Sequence, residues 1–110
     1  MAISWEDFEK IELRIGTIER AQVFEGAKKP AYQLWINFGE LGIKKSSAQI
    51  TTLYKAEDLP GKQVIAVTNF APKQIGKFMS EVLVTGFADA DGNIALAVPD
   101  LPVPNGSRLI

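Results

Sequence analysis

Tyr32, Leu34, Ile36 and Phe38 occupy every second position of one segment, with Gln33, Trp35 and Asn37 between them. A two-residue period marks a strand with one buried face, and on a helix it would scatter these apolar side chains around the axis. Ile11, Leu13 and Ile15 alternate in the same way, after which the apolar parity changes and Ile18 stands at an even position. A strand whose buried face switches needs an extra residue, and Gly16 is the expected place for that bulge. Gly39 and Gly42 bracket a turn into a third strand over residues 43–50. Val64, Ala66 and Thr68 interleave with Ile65 and Val67, so a fourth strand is apolar on both faces and central. Residues 82–87 and 94–98 read as a hairpin around Asp91-Gly92. Pro102 and Pro104 confine residues 102–110 to an edge or an extended arm.

Two short helices complete the pattern. Ser4 with Asp7 forms a capping box that opens a helix running to about Lys10. Trp5 and Phe8 share a face of it, expected to plug one end of the core. Residues 53–59, ahead of Pro60-Gly61, supply one or two helical turns between strands 3 and 4. The expected fold is all-β: a five-stranded OB-fold barrel in one domain, residues 1–110.

The chain contains no Cys and no His, which removes disulfides, zinc–thiolate sites, cysteine nucleophiles and Ser-His-Asp catalysis. Asp89/Asp91 and Glu57/Asp58 pair carboxylates, but nothing beside them supplies a nucleophile or an oxyanion site. No calcium-loop spacing or phosphate-loop glycine pattern is present. No enzyme activity, cofactor or metal is therefore expected. No run approaches the roughly 18–20 apolar residues of a membrane span, and the N-terminus lacks the basic and apolar segments of a signal peptide. The expectation is a cytoplasmic protein without membrane insertion.

Net charge is −1, unevenly spread. Residues 1–27 balance at −3, residues 28–77 carry eight lysines and balance at +5, and residues 78–110 balance at −3. Two segments in or beside the basic third are candidate ligand contacts. On a strand, Lys45, Ser47 and Gln49 face one way and Lys44, Ser46 and Ala48 the other. A cation, a hydroxyl and an amide in line suit phosphate, ribose or a peptide backbone, and equally an exposed or interfacial strand face. Residues 69–81 follow the central strand and bring Asn69, Lys73, Gln74, Lys77 and Ser80, with Phe70, Phe78 and Met79 as candidate core or dimer contacts. Loops of OB-folds hold nucleic acid with lysines and stacking aromatics.

Asp7-Phe8-Glu9-Lys10-Ile11-Glu12-Leu13-Arg14-Ile15-Gly16-Thr17-Ile18 resembles the opening of the tRNA-binding domain family. More narrowly, Lys45-Ser46-Ser47-Ala48-Gln49-Ile50-Thr51, Asn69-Phe70-Ala71-Pro72-Lys73-Gln74-Ile75 and Met79-Ser80-Glu81-Val82-Leu83-Val84 resemble its CsaA branch of bacterial secretion chaperones. Pro104-Asn105-Gly106-Ser107 is similar to the closing turn of that branch, so the resemblance runs from about residue 7 to 110. It implies a non-catalytic OB-fold homodimer, joined through its chain ends and adjoining strands. It further implies a chaperone that binds unfolded preproteins, linked to the Sec export machinery, with tRNA-binding capacity. The alternative is a tRNA-binding protein that recognises shape and has no chaperone role. Relatives that bind tRNA show Lys-Met-Arg-Gly before a Ser-x-Gly-Met-like segment. Here residues 73–82 contain no arginine, and Glu81 follows Ser80. The resemblance carries over to Asn69 and Ser80. Without arginine the phosphate fork is lost, and expected tRNA affinity falls.

Overall fold

The computed structural model describes residues 1–110. Its elements are α1 (Trp5–Glu9), β1 (Leu13–Val23), β2 (Tyr32–Asn37), β3 (Ile43–Ala48), β4 (Gln63–Val67), β5 (Lys73–Ile75), β6 (Phe78–Ser80), β7 (Leu83–Val84), β8 (Gly86–Ala88) and β9 (Ile94–Leu96). Five strands form an antiparallel sheet in the order β3-β2-β1-β4-β7, curled into a nearly closed barrel; β5-β6 and β8-β9 are separate two-stranded hairpins. The core is built from the predicted alternation: Ile18, Leu34, Ile36, Phe38, Leu59 and Val64 are fully buried.

The switch of face in β1 falls at Glu19, not at Gly16. Ile18 pairs with Ile36 and Arg20 with Trp35, so Glu19 is the extra residue. Gly16 keeps regular pairing with Val64. It is required for space, because a Cβ there would stand 2.6 Å from Ile36 Cγ2 and 2.7 Å from the Phe38 ring. Even positions therefore face inward up to Ile18, and Leu13 and Ile15 lie on the outside.

Residues 53–59 supply one helical turn, the 3-10 turn Ala56–Asp58 between β3 and β4. Tyr54 ties this connection to the barrel: its carbonyl accepts from Tyr32 Oη at 2.7 Å, and its Oη accepts from Leu96 N at 2.9 Å. The 82–98 hairpin pairs from Thr85 onward, Ala97 N donating to Thr85 O at 3.1 Å, while the Thr85 N–H and hydroxyl both donate to the Ile65 carbonyl (3.0 and 2.7 Å) and residues 83–84 pair with β4. The chain thereby leaves β4 after β7 and pairs onward with β9. The Asp91-Gly92 turn forms, with Asp89 Oδ1 accepting from the N–H of Asp91 and of Asn93.

The capping box at Ser4 forms as expected, Ser4 Oγ accepting from Asp7 N and Asp7 Oδ2 from Ser4 N. The helix it opens does not plug the core: α1 contains no buried residue, and Trp5 is 67% exposed. The C-terminal segment is an arm running along β1. Ile15 N donates to Ser107 O, Gly106 N to Ile15 O and Leu109 N to Leu13 O. Where the arm meets the β2–β3 turn, Gly39 and Gly106 stand against each other's neighbours. A Cβ on Gly39 would lie 2.6 Å from Asn105 O, and one on Gly106 would lie 2.7 Å from Phe38 O. Both glycines have positive φ, 67° and 90°.

Candidate nucleic-acid interface

Pairing across β1, β2 and β3 sorts the candidate side chains into rows. Directly paired residues share a face of a sheet, and the rows alternate between faces. Arg20, Trp35 and Lys45 form one outward row, and Gln22, Gln33 and Ser47 the next. Inward rows join Ala21, Leu34 and Ser46, and Ile18, Ile36 and Lys44. Ser46 is fully buried and cannot reach a ligand on the surface. Lys44 is half-buried at the end of the barrel, on the face opposite Lys45.

The outward face is aromatic as well as cationic. The Arg20 guanidinium lies 4.5 Å from the Trp35 ring centroid. Phe78 packs edge-on against Trp35 at 5.9 Å and against Phe24 at 5.4 Å. Lys45 Nζ stands 5.3 Å over Phe78. Phe24 belongs to the β1–β2 connection and Phe78 to the β5–β6 hairpin, so their contact ties both loops to the three-stranded face. Those loops carry the exposed Lys28, Lys29, Lys73 and Lys77. Of the carboxylates nearby, Glu81 accepts from Lys45 N at 3.0 Å, and Glu19 accepts from Asn37 Nδ2 at 3.0 Å.

The remaining candidates divide. Ser80 Oγ accepts from Ser47 N at 3.0 Å, and Glu81 N and Val82 N both donate to Lys45 O (2.8 and 3.3 Å). Ser80 and Glu81 thus close the barrel against the free edge of β3. Gln74 Nε2 donates to Gly76 O at 3.0 Å within its own hairpin turn. Gln49 is exposed just beyond β3 and borders a hollow shared with Leu83, Val84 and Thr85. Asn69 is elsewhere: its Oδ1 accepts from Glu12 N (3.0 Å) and its Nδ2 donates to Lys10 O (2.7 Å), clamping the junction of α1 with β1. Lys45, Ser47 and Ser80 come together; Asn69 and Ser46 do not join them.

Arg20, Gln22, Gln33 and Trp35 belong to this face and were not among the sequence candidates. Trp35 gave a signal, as a large aromatic on the outward parity of a strand. Arg20 and Gln22 gave none, because a bulge placed at Gly16 turns even positions inward throughout. The bulge at Glu19 turns both outward.

The family described as "Putative tRNA binding domain" matches residues 13–108. A crystal structure of chaperone CsaA from Bacillus anthracis superimposes with a TM-score of 0.93 at 47% identity, covering 100% of both chains. The chain belongs to the CsaA branch of the tRNA-binding domain family. The CsaA chaperone protein of Picrophilus torridus is similar at 48% identity and TM-score 0.91, over 99% of this chain and 100% of that one. Among curated relatives, methionine–tRNA ligase of Leptospira biflexa is 36% identical over 107 residues, 97% of this chain. The chain spans about 15% of that enzyme's length.

No three of the residue types His, Cys, Asp and Glu gather where they could hold a metal ion. No helix is long and apolar enough to cross a membrane.

Proposed function

We propose that the protein is a non-catalytic, cytoplasmic tRNA-binding module that docks RNA on the outward face of β1–β3. The observation that carries this is Lys45 on the outward face, beside Trp35 and flanked by two lysine-bearing loops that meet at the Phe24–Phe78 contact. This is the face, and these are the connections, that OB-folds use for oligonucleotides. Lys28, Lys29, Lys45, Lys73 and Lys77 supply the phosphate contacts, with Ser47, Gln49 and Gln74 at the margin. Filter binding of total tRNA across salt concentrations tests it. With these five lysines on phosphates, log affinity against log salt slopes at about −3.5 to −4.5. Absence of retention at low salt refutes the proposal.

The functional unit is a homodimer. Leu13, Ile15, Ile65, Val103, Leu109 and Ile110 line an external apolar hollow of about 320 Å³. Ile3, Trp5 and Phe8 adjoin it through Ile110. Contiguous apolar surface of this kind marks an interface, and α1 with the arm would be covered by a second copy related by two-fold symmetry. Sedimentation should give twice 12.0 kDa, reverting to the monomer in Ile15→Asp; a parental monomer at micromolar concentration refutes the dimer.

A second activity, holding unfolded precursor polypeptides for export, is favoured by the full-length similarity to CsaA chaperones and by one feature of the barrel. Between β3 and β7 lies a hollow of about 440 Å³ lined by Ser47, Gln49, Ile50, Leu83, Thr85 and Leu96. It offers apolar surface and hydroxyls to an extended chain. Failure to slow aggregation of a denatured client removes this second activity and any engagement with the Sec export machinery.

A further inference from the structure

We propose that Arg20, Trp35, Gln33 and Ser47 form a subsite for one unpaired RNA base. The subsite rests on the RNA-binding function proposed above and narrows it from a charged surface to a position that distinguishes single-stranded from duplex RNA.

Arg20 is exposed, yet it is not a free cation. Its guanidinium lies over the Trp35 ring, and Nη2 donates to Gln22 Oε1 at 2.6 Å. A guanidinium held on an aromatic face and already hydrogen-bonded at its fork is poorly suited to reach for phosphate. It is well suited to stacking, because unstacked RNA bases settle on guanidinium planes as readily as on aromatic rings.

The adjacent row supplies the edge contacts, and Arg20 fixes their polarity. Arginine has donors only, so Gln22 must turn its oxygen toward Arg20. Its amide nitrogen then donates to Gln33 Oε1 at 2.7 Å. Gln33 in turn points its own NH2 group away from Gln22, where no protein group accepts from it. The relay ends in a free donor. Gln33 is paired with Ser47 across β2 and β3, and it stands two residues from Trp35 on the same face. One side-chain step, ~7 Å along the strand, therefore separates the guanidinium–indole stack from an amide donor and a hydroxyl. A base lying on Arg20 can present its acceptor edge to both.

A duplex cannot use this arrangement. Its base faces are covered by their neighbours, so none can settle on the Arg20 guanidinium. The lysines of the two loops grip phosphates of either form.

Fluorescence anisotropy with labelled octauridylate, a blunt RNA duplex of equal length and total tRNA tests the subsite. Arg20→Lys keeps the charge and removes the plane; Gln33→Leu keeps the stack and removes the donor. Both positions are on the surface, so the fold is retained. Arg20→Lys should weaken octauridylate binding roughly ten-fold or more and Gln33→Leu less, with duplex affinity unchanged in both. In a Trp5→Phe background, Trp35 emission should be quenched by octauridylate and not by the duplex. Parental affinity for the single strand in Arg20→Lys, or equal losses on single strand and duplex, overturns the subsite. Binding of tRNA without binding of octauridylate overturns it alone, whereas retention of no RNA at all removes the RNA-binding function with it.

Discussion

The barrel is closed between β3 and residues 80–82 partly by side chains, so cutting that seam has a calculable effect. Ser80 Oγ accepts from Ser47 N and Glu81 Oε1 from Lys45 N, each at 3.0 Å. The bonds from Glu81 N and Val82 N to Lys45 O involve backbone only and survive alanine substitution. A neutral hydroxyl bond contributes about 1 kcal/mol and one to a carboxylate about 1.5–3 kcal/mol. Both pairs are part-buried, where water can rehydrate a freed amide, so the lower values apply. Ser80→Ala should therefore cost about 1 kcal/mol and Glu81→Ala about 1.5–2 kcal/mol. For a chain of this size these correspond to falls in Tm of about 4 °C and 6–8 °C. The two share a seam, so the double variant should depart from additivity by about 0.5 kcal/mol or more. Urea unfolding gives the energies. Amide exchange localises them, with Ser47 accelerated in Ser80→Ala, Lys45 in Glu81→Ala, and the β1–β2 ladder unaffected. If Ser80→Ala leaves stability and Ser47 exchange untouched but abolishes tRNA binding, Ser80 is a ligand contact and the seam assignment is wrong.

Gly16→Ala should destabilise by about 1–3 kcal/mol through overpacking against Ile36 and Phe38, measured by urea unfolding; a neutral result refutes the close approach. Asn69→Ala should release the junction of α1 with β1, costing about 1 kcal/mol and altering Trp5 emission while leaving tRNA affinity unchanged. Loss of tRNA binding in Asn69→Ala would place a ligand at that corner instead.

Much of the barrel was legible because its constraint is local. Leu34, Ile36 and Phe38 alternate without interruption, and the alternation is also the burial. The capping box at Ser4 was legible because both partners lie within one turn. What escaped depends on contacts far apart in sequence. How residues 53–59 are anchored to the barrel is decided by Tyr32 and Leu96, which bond to Tyr54. The role of Ser80 is decided by the unpaired edge of β3, which no motif around Ser80 reveals. The bulge illustrates the limit most directly. The parity change between Ile15 and Ile18 arises because Leu13 and Ile15 are apolar on the outside, whereas the strand changes face at Glu19 and not at Gly16. That displacement of three residues hid the outward row containing Arg20.

The mutual approach of Gly39 and Gly106 has an evolutionary corollary. Each glycine is hemmed in by a carbonyl beside the other, so the obstacle is main chain and no side-chain exchange at the opposite position can relieve it. Substitution at either site is vetoed independently of what its neighbour becomes. In a deep mutational library both positions should stay fixed and show no epistasis with each other. Contact inference from correlated substitutions would then miss one of the tightest long-range approaches in the molecule.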